Sequence, residues 1–213
     1  MTTRPAAGGG RVVEVPPERI ARWIENFVAR HEGAPKAEAR AGALVLTAPD
    51  GAVAECRLPF GDAGVDVAGL AAAATARRRI GLLLARRGAY GVGIADGASL
   101  VSSKVDRQYV QGRTAAGGWS QHRFARRRDN QARQSAQAAA DTTARLLLPE
   151  RARLAAVVLG GDRKAVELVL SDRRLEPLRD RVGGWFLDVT EPRRAVLEEA
   201  ARQARMVRIT LTD

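Results

Sequence analysis

From Pro17 onward, apolar residues recur at helical spacing as Ile20, Trp23, Ile24, Phe27 and Val28, until Gly33 ends the run. The spacing predicts an amphipathic helix with an aromatic face, and Pro17 suits its first turn. Two β-prone runs, Ala43 to Thr47 and Ala52 to Leu58, flank Pro49, Asp50 and Gly51, whose turn chemistry predicts a hairpin. Residues 1–11 are small, polar and glycine-ended, and are expected to form a disordered leader. Residues 12–76 then read as a small N-terminal α/β module.

The remainder, residues 77–213, opens with three strand-like runs, Ile80 to Arg86, Tyr90 to Ala95 and Leu100 to Asp106. Arg87-Gly88 and Asp96-Gly97 separate them as tight turns, which predicts an antiparallel meander. From Gln121 to Leu148 the chain has no glycine or proline and many alanines before Pro149, so one long helix is expected. A strand at Leu154 to Leu159, a helix at Arg163 to Leu170, a strand at Trp185 to Val189, a helix at Arg193 to Arg205 and a strand at Met206 to Leu211 complete the order. The fold class is α/β (α+β), a mixed sheet with a meander followed by crossover helices. In the long helix, Ala132, Ala136, Ala139, Ala140, Ala144 and Leu147 form a small-residue stripe suited to close packing on a sheet. Arg123, Arg127, Asn130, Gln134, Gln137, Asp141 and Arg145 recur on another face.

Charge changes this picture, because it is segregated. Residues 1–76 hold eight Lys/Arg against nine Asp/Glu, a net of −1, while residues 77–213 hold 27 against 15, a net of +12. An arginine-rich composition explains the total of +11 but not its placement, and a basic second part points to nucleic acid. Residues 113–147 alone carry seven Arg against two Asp. Such a stripe can neutralise phosphates without reading sequence, or it can be a solvated helix face. Cys56 is the single cysteine, and His31 and His122 are the only histidines, so neither an internal disulfide nor a Cys/His zinc cluster is expected. No apolar run approaches a membrane span, and MTTRPAAGGG lacks the apolar core of a signal peptide. The expectation is a cytoplasmic protein, monomeric when free, with no cofactor, no metal and no membrane partner.

The loop at residues 112–122 is the place where chemistry concentrates. Gly117 and Gly118 permit a sharp bend or a close backbone approach, and Trp119, Ser120 and Gln121 follow them directly. Ser120 with His122 makes a poor nucleophile and base, being near neighbours in sequence with no third group. No Gly-Lys-Ser/Thr follows the glycines, which disfavours a phosphate-cradling loop. A two-metal nuclease of the ribonuclease H-like kind needs an acid on the first strand. Ile80 to Arg86 has none, and Asp96 and Asp106 lie at a turn and a strand end. What remains is chemistry by placement: the Gln121 amide can orient a water, and its backbone N–H can stabilise an oxyanion at an activated ester such as that of peptidyl-tRNA.

The stretch from Gln111 through Gly117, Gly118, Ser120 and Gln121 to Asp129, Asn130 and Ser135 resembles the Vms-like release-factor family, specifically its actinobacterial branch of peptidyl-tRNA hydrolases. The resemblance spans about residues 80–211. That family is related to the central domain of eukaryotic and archaeal class-1 release factors, whose Gly-Gly-Gln loop enters the peptidyl transferase centre. The resemblance implies a ribonuclease H-like, release-factor central-domain-like fold over residues 77–213. It makes Gln121 the catalytic residue, with Gly117, Gly118, Trp119 and Ser120 as the loop that carries it. His122, Arg123, Arg126, Arg127, Arg128 and Arg133 would contact RNA, and the partners would be peptidyl-tRNA and the rRNA of the large ribosomal subunit. Trp119 and Ser120 separate the glycine pair from Gln121, so the strict triplet is absent here. Trp119 either stacks on an exposed base or pins the loop to its own domain. Three activities stay open: ester hydrolysis that releases nascent chains from stalled or split large subunits, cleavage of the tRNA acceptor end through the same loop, and non-catalytic docking on the ribosome or RNA.

Overall fold

The computed structural model describes residues 2–5, 9–86, 88–107 and 120–212, leaving aside the side chains of residues 2, 3 and 120–129. In chain order the strands are β1 (Thr2–Pro5), β2 (Arg11–Val15), β3 (Lys36–Arg40), β4 (Ala43–Thr47), β5 (Val53–Arg57), β6 (Arg79–Arg86), β7 (Ala89–Asp96), β8 (Ser99–Arg107), β9 (Ala156–Gly161) and β10 (Val207–Thr212). The helices are α1 (Ile20–Arg30), α2 (Val67–Thr75), α3 (Ser120–Leu147), α4 (Arg163–Leu170) and α5 (Arg194–Gln203). They fall into two compact units, Met1–Arg77 with Arg205–Asp213, and Arg78–Ala204.

The first unit is a six-stranded antiparallel sheet in the order β1-β2-β10-β5-β4-β3. Ile20, Ile24 and Phe27 of α1 and Leu70 and Ala74 of α2 pack with Val13, Val15, Leu44, Leu46, Ala54, Cys56, Val207 and Ile209 in one core. The expected amphipathic helix is therefore α1, entered through a 3-10 turn at Pro17–Arg19. The hairpin of β4 and β5 is also present. Asp50 Oδ1 accepts from the Ala52 amide at 3.1 Å, and Gly51 supplies the positive φ of 91° that the turn requires. Asp66 caps α2 by accepting from the Gly69 amide at 2.7 Å. Burial pushes the Cys56 thiol up to about 12, so it stays protonated within the core.

Two sequence expectations are corrected here. Thr2–Pro5 is not a disordered leader but strand β1, in antiparallel register with β2 from Thr2 opposite Glu14 to Pro5 opposite Arg11. The last strand, expected in the second sheet, lies in the first, between β2 and β5. Its residues Val207 and Ile209 complete that unit's core.

The second unit holds a four-stranded sheet in the order β8-β7-β6-β9. β6, β7 and β8 form the expected meander, and β9 runs parallel to β6 after the crossover through α3. Leu83, Ala85, Tyr90, Val92 and Ile94 face α3 and α4. On the opposite pleat a Cβ added at Gly91 would meet Leu197 of α5 at 3.2 Å. Helices on both faces explain why Ile80 to Ala85 is a continuous buried run and not an alternating one. Trp185 to Val189, expected as a strand, meets β9 only through the single bridge of Gly160 with Leu187. One exchange of hydrogen bonds, Gly161 amide to Leu187 carbonyl and Leu187 amide to Leu159 carbonyl at 2.9 Å each, is too short to form a ladder.

Candidate functional site

Helix α3 runs for 28 residues, and its C-terminal half is fixed to the sheet. Ser135, Ala136, Ala139, Ala140, Thr142, Thr143 and Leu147 are buried. Ala132, expected in the packing stripe, is exposed, and Thr142 and Thr143 take part instead. Their hydroxyls are satisfied: Thr142 Oγ1 lies 3.1 Å from the Tyr90 hydroxyl of β7, and Thr143 Oγ1 donates to the Ala139 carbonyl at 2.7 Å. The helix and sheet meet closely where a Cβ at Gly81 would come within 3.0 Å of Leu147 Cδ1.

Asn130, Gln134, Gln137, Asp141 and Arg145 lie on the exposed face, as the periodicity predicts. Part of that face is already occupied by the unit itself. Arg174, in the 3-10 segment Arg173–Arg181, donates from Nη2 to Asp141 at 2.6 Å and to Asp172 at 2.7 Å. Gln137 Nε2 bridges the same two carboxylates at 3.2 and 3.3 Å. The Arg174 guanidinium and amide hold the Asp172 carboxyl far below the usual aspartate range. At this level the helix is neutralised internally, whereas the described residues between Asn130 and Gln137 contain one further arginine. That residue, Arg133, is exposed and has no ion pair among the described residues.

Among the candidate residues, Ser120, Gln121 and His122 have their backbone in the first turn of α3, and Arg123, Arg126, Arg127 and Arg128 follow in the next two turns. Ser120 thus begins roughly 22 Å along the axis from Ser135, at ~1.5 Å per residue. The first turn of an α-helix has backbone N–H groups with no intrahelical acceptor, and its dipole favours negative charge there. Gly117, Gly118 and Trp119 lie outside the described residues, as does the rest of the loop before Ser120. β6 carries no carboxylate, and Asp106 Oδ1 accepts from the Arg107 amide at 2.8 Å near the end of β8. Among the described residues no group of three His, Cys, Asp or Glu side chains could hold a metal ion, and no helix is long and apolar enough to cross a membrane.

The chain is similar in structure to an archaeal protein at 18% identity and a TM-score of 0.41, covering 76% of this chain and 51% of that one. It is similar to the archaeal translation termination factor aRF1 at 16% identity and a TM-score of 0.42, covering 91% of this chain and 66% of that one. It therefore spans about half the length of the first and somewhat under two thirds of the second. No curated protein matches it. Residues 78–210 match the model of the Actinobacteria/chloroflexi VLRF1 release factor, a span that contains the meander, the loop and all of α3. This protein belongs to the Actinobacteria/chloroflexi VLRF1 release-factor family.

Proposed function

We propose that this protein is a peptidyl-tRNA hydrolase that frees nascent chains from tRNA on stalled or split large ribosomal subunits, with residues 78–204 as the catalytic unit. The observation that carries the reading is Gln121 in the first turn of α3, inside the span of the release-factor family match. The Gln121 carboxamide holds the attacking water by one donor and one acceptor. Free N–H groups of the same turn stabilise the oxyanion that develops at the ester carbonyl. Gly117 and Gly118 let the loop approach the acceptor end, and Trp119 and Ser120 set the position of the glutamine. Arg123, Arg126, Arg127, Arg128 and Arg133, with His122, bind the phosphates of tRNA and large-subunit rRNA, a term that falls steeply with salt.

The test is peptide release from purified large subunits carrying labelled peptidyl-tRNA, wild type beside Gln121→Ala, with the tRNA 3′ end mapped afterwards. Release that leaves the acceptor end intact and disappears in the variant supports the hydrolase. A shortened tRNA makes the protein a nuclease in which His122, Arg123, Arg126 and Arg127 act on a phosphodiester. Binding without any product makes it a docking factor.

A further inference from the structure

The first unit contains a cleft of about 270 Å³ between α1 and strands β2 and β10 of its sheet. Arg22, Asn26 and Arg30 follow one another at steps of four along α1 with Trp23 beside them, Arg19 ends the 3-10 turn just before the helix, and Arg11 stands opposite on β2. Arg11 lies beside Leu211 in register, which continues the apolar floor made by Val13 and Phe27. Trp23 stacks on Phe27 with ring centroids 5.6 Å apart and planes 13° apart, and is half-buried at the cleft wall.

The charge of this cleft is uncompensated. Arg11, Arg19, Arg22 and Arg30 are exposed and make no ion pair with a described residue. Among the described residues no carboxylate lines the cleft, and nearby Glu14 pairs with Arg4 and Arg208, Glu18 with Arg205, and Asp50 with His31 at 2.6 Å. Four guanidinium groups around an aromatic wall match an anion that also carries a flat ring. From Arg19 to Arg30 the arginines extend about 16 Å along the helix, a reach that suits successive phosphates and not one isolated anion. The volume lies just below the roughly 300–1,000 Å³ of drug-sized sites, so it takes one base and its sugar, not a folded element.

We propose that this cleft binds single-stranded RNA, one base against Trp23 and the flanking phosphates on Arg11, Arg19, Arg22 and Arg30. An acidic peptide would use the arginines and leave the Trp23 ring without a planar partner. The site lies in the first unit and does not depend on the ester chemistry assigned to Gln121.

The test uses the full chain with Trp119→Phe and Trp185→Phe, which leaves Trp23 as the single tryptophan of the three. Its emission is followed during titration with a ten-residue oligouridylate at several salt concentrations, with circular dichroism to establish that each variant is folded. Saturable quenching is expected. Arg22→Gln with Arg30→Gln should weaken it about tenfold and lower the salt slope by about 1.4, from ~0.7 per phosphate contact on a single strand. Quenching that is absent, or unaltered in the double arginine variant, overturns the proposal. So does uridine monophosphate or polyglutamate acting as well as the strand, since a free nucleotide or an acidic peptide would then be the occupant.

Discussion

Residues 77–213 carry 27 Lys/Arg against 15 Asp/Glu, an excess visible in any count, whereas residues 1–76 balance eight against nine and read as neutral. Folding separates what the second sum mixes. In the first unit Glu14 and Glu18 pair with Arg4, Arg208 and Arg205, whereas Arg22 and Arg30 of α1 and Arg19 just before it make no ion pair with a described residue. In the second unit the opposite happens part-way along α3, where Asp141 and Asp172 close on Arg174 and a seemingly basic face becomes self-neutralised. Net charge over a segment therefore overstates one surface and conceals the other. What a partner meets is set by which arginines the fold leaves without a carboxylate.

The largest effect should come from the second unit's chemistry. Gln121→Ala is expected to lower peptide release by about a hundredfold to a thousandfold, the range for loss of a transition-state donor, with ribosome binding in a sedimentation assay unchanged. Equal release by variant and wild type would remove the functional contrast between the units. Next is the core of the first unit. Ile209→Ala, fully buried in β10 between β2 and β5, should cost about 2–5 kcal/mol in denaturant unfolding. It should also expose amides of β2 and β5 to hydrogen exchange ahead of those in β6 and β7. Uniform loss of protection would mean that the two units unfold as one.

A smaller change is expected from Tyr90→Phe. It removes the buried hydroxyl that meets Thr142 at 3.1 Å and should cost about 1 kcal/mol, read as a lower thermal midpoint. The smallest effect concerns pH. Hydrogen bonds from Arg174 depress the folded-state Asp172 and Asp141 carboxyls below their usual value of 3.8. Their contribution is complete above that value and is lost as pH falls below it toward the folded-state values. Arg174→Gln should thus lower the thermal midpoint at pH 6 and lower it by a smaller amount at pH 2. A difference as large at pH 2 as at pH 6 would show that Arg174 acts through packing.

Much of the second unit was legible because its signals are local. The absence of glycine and proline from Gln121 to Leu148 marked α3, and Arg87-Gly88 and Asp96-Gly97 marked the meander. Its small-residue stripe included Ala132, which is exposed, and missed Thr142 and Thr143, which enter the core because Tyr90 and the Ala139 carbonyl satisfy them. The β10 sequence announces a strand, but nothing in a period of two names the sheet it joins, and its partners lie more than 140 residues earlier. β3, with Lys36, Glu38 and Arg40 on an exposed edge, has no apolar alternation to detect. The arginine cleft was illegible for the same long-range reason. Arg11 enters it from β2, while Arg22 and Arg30 come from α1, whose periodicity reports its apolar face, and Arg19 from the 3-10 turn before it.

The position of β10 has a consequence for biosynthesis. The chain leaves the first unit at Arg77 and re-enters it only at Arg205, so everything the second unit needs emerges from the exit tunnel before the first can be finished. Domains usually mature in the order of translation, N-terminal first. Here the order is reversed: β2 and β5 wait with open hydrogen-bonding edges until β10, which follows the second unit along the chain, slots between them. A messenger truncated before the codon for Val207 would yield a completed second unit attached to an unfinished sheet.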